Sequence, residues 1–429
     1  MVRMPHWPKP FWYSKINFGL ERILPLLNEL GNPHLKLPPV IHVAGTNGKG
    51  STVSFIRTIL ERANFKVHQY TSPHLLEFNE RIKLQGKEIT DEYLYEIIER
   101  TRLAEEKLGL QVTFFEGTTV AAFIAFSEIE ADYLILETGM GGRLDATNVV
   151  PSPILSVITP ISYDHMEFLG EDLYSIAKEK AGIIKKDSSV VISMQTEEAL
   201  KALFEKIEEE KSNAFIYGYE YGLNVEKDKV FYLSENKYLE LKNLSLEGDH
   251  QYVNAATSIA AIECLNLNIS DEIISKAIQT TKWPARLQKI NYGYLYNLLP
   301  QNWEIWVDGA HNASGGQALA AWAEKKQDLP LYVICGMTRN RNVANFLTFL
   351  KPFITHLSGI YVEDEPSSYT AEKICEFASS IEINCSPATS FEDALEKILK
   401  QNNKPCRILV CGSLFLAAMF LRINKTEII

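Results

Sequence analysis

Lys49 and Ser51 stand in Val40-Ile41-His42-Val43-Ala44-Gly45-Thr46-Asn47-Gly48-Lys49-Gly50-Ser51-Thr52, an apolar, β-branched run that ends in a glycine-rich turn. A helical pattern, Val53 to Arg62, follows at once. Strand, turn and helix in that order present backbone N–H groups and a helix N-terminus to a polyphosphate. Thr46, Asn47, Gly48, Lys49, Gly50 and Ser51 are therefore candidate phosphate contacts, with the Lys49 ammonium on the terminal phosphates and the Ser51 hydroxyl on Mg²⁺. The strict pattern carries its first glycine where Val43 stands and follows the lysine directly with Ser or Thr, so this loop is a shortened variant. A tight strand-to-helix connection without a ligand is the alternative reading.

Two further apolar strands end on residues that can do chemistry. Tyr133 to Leu136 runs into Glu137 and then into Thr138-Gly139-Met140-Gly141-Gly142-Arg143-Leu144-Asp145-Ala146-Thr147-Asn148. Ile154 to Thr159 is followed by Asp164-His165. In an open parallel sheet the C-terminal ends of the strands share one edge, where the ligand crevice lies. Ser51, Glu137 and His165 then converge on Mg²⁺-nucleotide, although Mg²⁺ prefers oxygen and an imidazole there needs a second metal or special geometry. The bland alternative is an ordinary strand end, a flexible loop and a surface histidine. His74 and Arg81, in Thr71-Ser72-Pro73-His74-Leu75 and Asn79-Glu80-Arg81-Ile82, are candidates to touch substrate, with exposed and merely solvated loop residues as the commoner reading.

The elements that must position these residues follow from periodicity. A helical stretch ends at Gly31-Asn32-Pro33, leaving no room for a complete domain ahead of the glycine-rich turn. Phe65 to Tyr70 reads as a strand and Asp91 to Lys107 as an amphipathic helix. Phe114-Phe115-Glu116-Gly117-Thr118-Thr119 opens an apolar helix, Val120 to Ile129, with Thr and Glu as caps. A strand at Val190 and a charged helix, Glu197 to Lys211, come next. Ala214 to Leu246 alternates like an antiparallel hairpin, and an Ala-rich helix, Tyr252 to Cys264, follows. Thr281 to Leu287, with Pro284, is the best boundary. Beyond it strands (Glu304–Val307, Leu331–Cys335, Gly359–Val362, Arg407–Val410) alternate with helices (Gly315–Lys325, Val343–Leu350, Ala371–Ser379, Phe391–Lys400). The predicted fold is α/β: a P-loop-type domain, 1–281, with a mostly parallel sheet flanked by helices, and a smaller Rossmann-like α/β domain, 282–429.

Composition narrows the function. The 429 residues exceed one ordinary core, and 46% hydrophobic with 23% charged residues is an ordinary globular balance. A formal charge of −11 disfavours nucleic acid as partner. The six cysteines are scattered without a CxxC pair, which predicts reduced thiols and neither a zinc site nor a disulfide framework. Nothing reads as a signal peptide or a membrane span. A cytoplasmic monomer with small-molecule substrates and no membrane partner is the expectation.

Taken together, GTNGKGS, TSPHL, NERI, LETGMGGRLDATN, SYDHMEFLG and IAKEKAGII resemble, in order, the signatures of the Mur-ligase superfamily. The likeness is to its folate branch, folylpolyglutamate synthase and dihydrofolate synthase, and it runs from about Asn17 to Ser413. The resemblance implies an enzyme that joins a pterin-bearing carboxylate to the amino group of L-glutamate, activating the carboxylate with ATP as an acyl phosphate. It puts Gly48, Lys49 and Ser51 on the phosphates and a first Mg²⁺, Glu137 on metal, and His165 on a second Mg²⁺. It also implies that Lys180, in Glu179-Lys180-Ala181-Gly182, is carbamylated and a metal ligand; without it, Lys180 reads as one more solvated helix lysine. Asn254 is implied to meet adenine, Arg286 of Trp283-Pro284-Ala285-Arg286-Leu287 the ATP phosphates, and Asp308 and His311 of Asp308-Gly309-Ala310-His311-Asn312 the ribose and phosphates, with ATP between the domains. Phe115, Leu144, Asp145 and Ala146 are implied pterin contacts. So is Asn17, which stands where some bifunctional members carry Asp. A monovalent cation is a further candidate cofactor. Both dihydropteroate and folate are the expected substrates, with folylpolyglutamate synthesis alone as the alternative. A cell-wall Mur ligase would need a nucleotide-sugar-binding domain ahead of the phosphate loop, and a non-catalytic ATP-binding module would not need Lys49, Glu137, His165 and Lys180.

Overall fold

The structure is a computed structural model that describes residues 5–7, 19–363 and 365–426; Asn17 lies outside the described residues. The chain forms two compact units, one made of the chain up to Ser245 with Gln251–Thr281, the other of Leu246–His250 with the chain from Lys282 on.

The first unit is built on an eight-stranded sheet: β1 (Val40–Ala44), β2 (Val67–Tyr70), β3 (Ile82–Leu84), β4 (Lys87–Glu88), β5 (Tyr133–Glu137), β6 (Leu155–Ile158), β7 (Ser189–Ile192) and β8 (Asn213–Ile216). Their order is β4-β3-β2-β5-β1-β6-β7-β8, parallel from β2 to β8, with β3 and β4 added antiparallel. Val40-Ile41-His42-Val43-Ala44 is buried on both faces, as a central parallel strand must be. β1 lies between β5 and β6, so the chain leaves it toward both sides of the sheet, and its C-terminal end is a switch point.

Helices cover both faces: α1 (Ile23–Glu29), α2 (Lys49–Arg62), α3 (Asp91–Leu108), α4 (Phe114–Glu128), α5 (Met166–Leu169), α6 (Leu173–Ala181), α7 (Glu197–Glu210), α8 (His250–Cys264) and α9 (Asp271–Ile278). The apolar side chains of α1, α3 and α4 form one core with Val40, Tyr70, Leu134 and Leu136, while those of α6 and α7 form another with Ala44, Ile158 and Ile192. Helix α2 starts at Lys49, four positions before the apolar pattern begins, because Gly48 (φ 82°) turns the chain directly into it. Likewise α4 starts at Phe114, capped by Thr113 and Glu116 in a reciprocal pair. The region predicted as a hairpin splits. Asn213–Ile216 joins the main sheet in parallel, and β9 (Tyr221–Glu226), β10 (Lys229–Ser234) and β11 (Tyr238–Glu240) form a separate antiparallel sheet.

The second unit carries a six-stranded sheet in the order β12-β13-β17-β14-β15-β16, where β12 is Gln288–Ile290, β13 Glu304–Val307, β14 Leu331–Cys335, β15 Ile354–Ile360, β16 Cys385–Ala388 and β17 Arg407–Cys411. All neighbours are parallel except β12 and β13. Its helices are α10 (Ala313–Glu324), α11 (Val343–Thr348), α12 (Ala371–Ser380), α13 (Phe391–Gln401) and α14 (Leu414–Ile423). One expectation fails here. Cys375 on α12 and Cys385 on β16 are joined in a disulfide, because the return from helix to edge strand brings their Cα atoms to 5.3 Å, within bridging range. The other four cysteines are free thiols. No described helix is long and apolar enough to cross a membrane.

Candidate active site

The glycine-rich turn is held from behind by the segment after β6. The amides of Thr46 and Asn47 donate to the Pro160 carbonyl at 3.0 and 3.2 Å, and Thr46 Oγ1 donates to the Ser162 carbonyl at 3.1 Å. The N–H groups of Lys49, Gly50 and Ser51 form the open first turn of α2, where a helix leaves its donors free of intrahelical partners. Lys49 Nζ folds back to the carbonyls of Gly45 and Thr46 at 3.2 and 3.3 Å. Asn254, on α8, presses on the same turn: a Cβ at Gly48 would come within 2.4 Å of its Oδ1.

Beside this turn, Glu137 ends β5 at 4% exposure and accepts the backbone N–H of Ser72 at 3.2 Å. Lys180, from α6, is 4% exposed and donates to the Gly45 carbonyl at 2.8 Å. The solvated-lysine reading is overturned. Burial first, and the Lys49 charge second, push its pKa well below the ordinary lysine value. Thr46, Asn47, Gly48, Lys49, Ser51, Asn254 and Lys180 thus gather around one turn. His165 stands at the N-cap of α5, with a left-handed φ of 51° and its ring 3.8 Å from the Asp164 carboxylate. Among the described residues no three His, Cys, Asp or Glu side chains cluster as a ready-made metal site. A single buried carboxylate beside a phosphate-binding turn nevertheless suits Mg²⁺, which takes one or two carboxylates and fills its shell with phosphate oxygens and water.

The implied pterin contacts divide. Phe115 packs on Tyr70 at 6.2 Å between ring centroids and lies so close over Gly139 that a Cβ there would meet its ring at 2.5 Å. Ala146 is buried in the same core. Asp145 is buried too, but its carboxylate is engaged by its own loop: it accepts from Thr147 N at 3.0 Å, Thr147 Oγ1 at 2.6 Å and Met140 N at 2.9 Å. Leu144 lines a small cleft with Met140, Phe168 and Leu169. Arg81 departs from expectation. It is 7% exposed, packed against the edge-to-face rings of Phe78 and Phe114, and its Nε donates to His74 Nδ1 at 2.8 Å.

In the second unit, Asp308 at the end of β13 accepts from Leu287 N and Ala310 N, both at 2.7 Å, and so ties down the boundary segment. Ala285 and Leu287 adopt φ of 56° and 43°, a strained backbone for such residues, on either side of Arg286. Arg286 Nη1 donates to the Ala285 carbonyl at 2.9 Å and lies against Gly309, while His311 Nδ1 donates to the Gly309 carbonyl at 2.9 Å. His250 belongs to this group: burial lowers its pKa, Asp308 opposes that shift and Arg286 adds to it.

Residues 43–262 match the Mur ligase middle domain family, and residues 288–423 match the dihydrofolate synthetase C-terminal domain. A Bacillus subtilis dihydrofolate synthase/folylpolyglutamate synthase is 35% identical over 413 residues, covering 92% of this chain and 93% of that protein. The chain belongs to the dihydrofolate synthase/folylpolyglutamate synthase family. The Escherichia coli dihydrofolate synthase/folylpolyglutamate synthase is 30% identical over 95% of this chain and 92% of its own length. The structure of E. coli FolC in complex with DHPP and ADP is similar with a TM-score of 0.85 at 28% identity, covering 96% of this chain and 95% of that one. A bifunctional folylpolyglutamate synthase/dihydrofolate synthase with Mn, AMPPNP and L-glutamate bound gives 0.82 at 25%, over 95% and 94%.

As a member of this family the chain is an ATP-dependent ligase. Sequence reasoning passed over Ser72, whose backbone meets Glu137, and His250, beside Asp308 and Arg286. It leaves Arg81 open between a substrate contact and the commoner solvated loop residue. Position in a turn carried no signal of burial; the one available cue was the aromatic pair Phe78 and Phe114 flanking polar loops.

Proposed function

We propose that this ligase adds L-glutamate both to dihydropteroate and to reduced folates, activating the acceptor carboxylate with ATP. The observation that carries the proposal is the convergence of the open first turn of α2, Lys49, Glu137 and buried Lys180 at one edge of the sheet, around the end of β1. The E. coli and B. subtilis relatives, named for both activities, support the dual reading.

Thr46 through Ser51 bind the phosphates, Lys49 releasing the Gly45 and Thr46 carbonyls to meet the β- and γ-oxygens. Glu137 and Ser51 would hold a first Mg²⁺, and His165 and a carbamate on Lys180 would hold a second. The metal's chemistry is to neutralise charge on the transferring phosphoryl group. Asn254 meets the nucleotide beside Gly48, and Arg286, Asp308 and His311 are candidate nucleotide contacts. Phe115, Ala146, Leu144 and Asp145 form the pterin side, Asp145 by fixing its loop. The acceptor carboxylate attacks the γ-phosphorus, ADP leaves, and the glutamate amine displaces phosphate from the acyl carbon.

The test is incubation of the full chain with ATP, Mg²⁺, L-glutamate and either dihydropteroate or tetrahydrofolate, with products resolved by mass. One added glutamate is expected on each acceptor. Product from tetrahydrofolate alone would reduce the proposal to folylpolyglutamate synthesis, and ADP release without either product would overturn it.

A further inference from the structure

Arg81 ends the turn that leads into β3. Its guanidinium carbon stands 5.2 Å from the centroid of Phe78 and 5.5 Å from that of Phe114, against the corner these two edge-to-face rings make with centroids 5.9 Å apart. His74, its hydrogen-bond partner, supplies no counter-charge: burial and the Arg81 charge push the imidazole pKa down to about 3, so it accepts through Nδ1 as a neutral ring. No described carboxylate forms an ion pair with Arg81. The Tyr70 hydroxyl is a second hydrogen-bond partner, and Glu80 and Glu137 act on it through charge alone. Glu80 is occupied by the backbone N–H groups of Leu75, Leu76 and Glu77, each at 2.7 Å, and Glu137 accepts the N–H of Ser72.

A guanidinium offers five N–H donors, and burying its charge without a paired anion is costly. A buried fork whose described partners, His74 and Tyr70, carry no negative charge, and which keeps donors to spare, suits an oxyanion. Its position narrows which one. Near it are Phe114, the neighbour of Phe115, whose ring covers Gly139 and packs on Tyr70, and the charge of Glu137, beside the phosphate turn. Polyphosphate has its own cradle in the first turn of α2.

We propose that Arg81 binds the carboxylate of the pterin-bearing acid, the group to be activated, an inference that rests on the ligase reading above. One carboxylate oxygen on the guanidinium leaves the other to attack the γ-phosphorus. The new C–O–P linkage forms, the bond from phosphorus to the bridging oxygen breaks, and ADP departs with that electron pair; Arg81 neither gains nor loses a proton. The flanking Phe78 and Phe114 rings keep water from the acid and suit an aryl carboxylate.

The experiment titrates the full chain, with Mg²⁺ and a non-hydrolysable ATP analogue, with dihydropteroate and separately with its carboxamide, following intrinsic fluorescence. The wild type is expected to prefer the acid by about tenfold or more, the size of a charge-assisted hydrogen bond. In Arg81→Gln that preference is expected to vanish while the affinities for carboxamide and nucleotide stay unchanged. Arg81→Lys, which keeps charge and stem but loses the fork, is expected to fall between, and it decides the matter if Arg81→Gln fails to fold. An undiminished preference for the acid in either folded variant overturns the proposal. Equal affinity of the wild type for acid and carboxamide overturns it while leaving the ligase reading intact; a wild type that binds neither overturns both.

Discussion

Lys180 Nζ lies 2.8 Å from the carbonyl oxygen of Gly45, across 135 residues of sequence, and Lys49 Nζ lies 3.2 Å from the same atom. Two lysines share one carbonyl at the mouth of the phosphate turn. That is an uncomfortable arrangement for two ammonium groups, and burial and mutual repulsion both act to remove the proton from Lys180. A carbamate on Lys180 would relieve the repulsion by replacing a cation with an anion.

Lys180→Ala is expected to lose nearly all turnover and to regain part of it with millimolar acetate, which can occupy the space of the missing carbamate. Turnover with and without acetate checks this, and intact-protein mass in bicarbonate buffer checks for one added CO₂ on the wild type. Absence of rescue together with an unmodified wild-type mass would retire the carbamate.

Lys49→Ala is expected to lower ADP production by several orders of magnitude while leaving the unfolding transition close to wild type, since its ammonium donates to carbonyls of its own turn. Near-normal ADP release by the purified variant would remove the phosphate assignment.

The central sheet was legible because Val40–Ala44, Leu134–Leu136 and Leu155–Ile158 are unbroken apolar runs, the signature of strands covered on both faces. Three elements of the second unit were not: β12, β16 and α14. β16 is Cys385-Ser386-Pro387-Ala388, an edge strand in which proline argues against any strand. Helix α14 is apolar on nearly every side, so it has no period to read. In the site, the glycines around Lys49 announced themselves through spacing. Lys180 and Arg81 did not, because what distinguishes them is burial supplied by residues far away in sequence: Gly45 for one, Phe114 for the other.

Gly142→Ala tests how Lys180 is positioned. A Cβ there would stand 2.8 Å from the carbonyl oxygens of both Glu179 and Lys180 and 3.0 Å from the Lys180 Cα, all backbone atoms that cannot step aside. The end of α6 must move, at a cost of about 1–3 kcal/mol for such overpacking. Denaturant unfolding is expected to register that loss, and kcat to fall by more than an equal destabilisation elsewhere produces. Wild-type kcat in a destabilised Gly142→Ala would mean that the position of Lys180 is not critical.

Arg286→Lys is expected to raise the KM for ATP at least tenfold with little change in stability, because the half-buried side chain makes one hydrogen bond, to the Ala285 carbonyl, and its fork is what a phosphate would need. Steady-state kinetics at varied ATP, alongside a melting curve, checks it. An unchanged KM would take Arg286 off the nucleotide.

His42 predicts an acid-sensitive fold. It sits in the middle of β1, and its Nε2 lies 2.8 Å from Thr147 Oγ1, whose own proton goes to Asp145 at 2.6 Å. The ring must therefore donate through Nε2, which leaves Nδ1 bare, buried and without a hydrogen-bond partner. Burial first, and the Lys185 charge second, push its pKa from 6.5 down to about 3. Since the folded pKa lies below the unfolded one, the unfolded chain binds the extra proton between those values, and stability falls as pH drops from 6.5 towards about 3. Each unit in that window costs up to about 1.4 kcal/mol from this one group. His42→Gln, which can still reach Thr147 but does not titrate, is expected to flatten the dependence of unfolding free energy on pH by up to one proton's worth. Denaturant unfolding at a series of pH values from neutral to about pH 4 measures the slope. A slope identical in wild type and His42→Gln would show that His42 is already protonated in the folded state, and the neutral-ring arrangement on β1 would have to be abandoned.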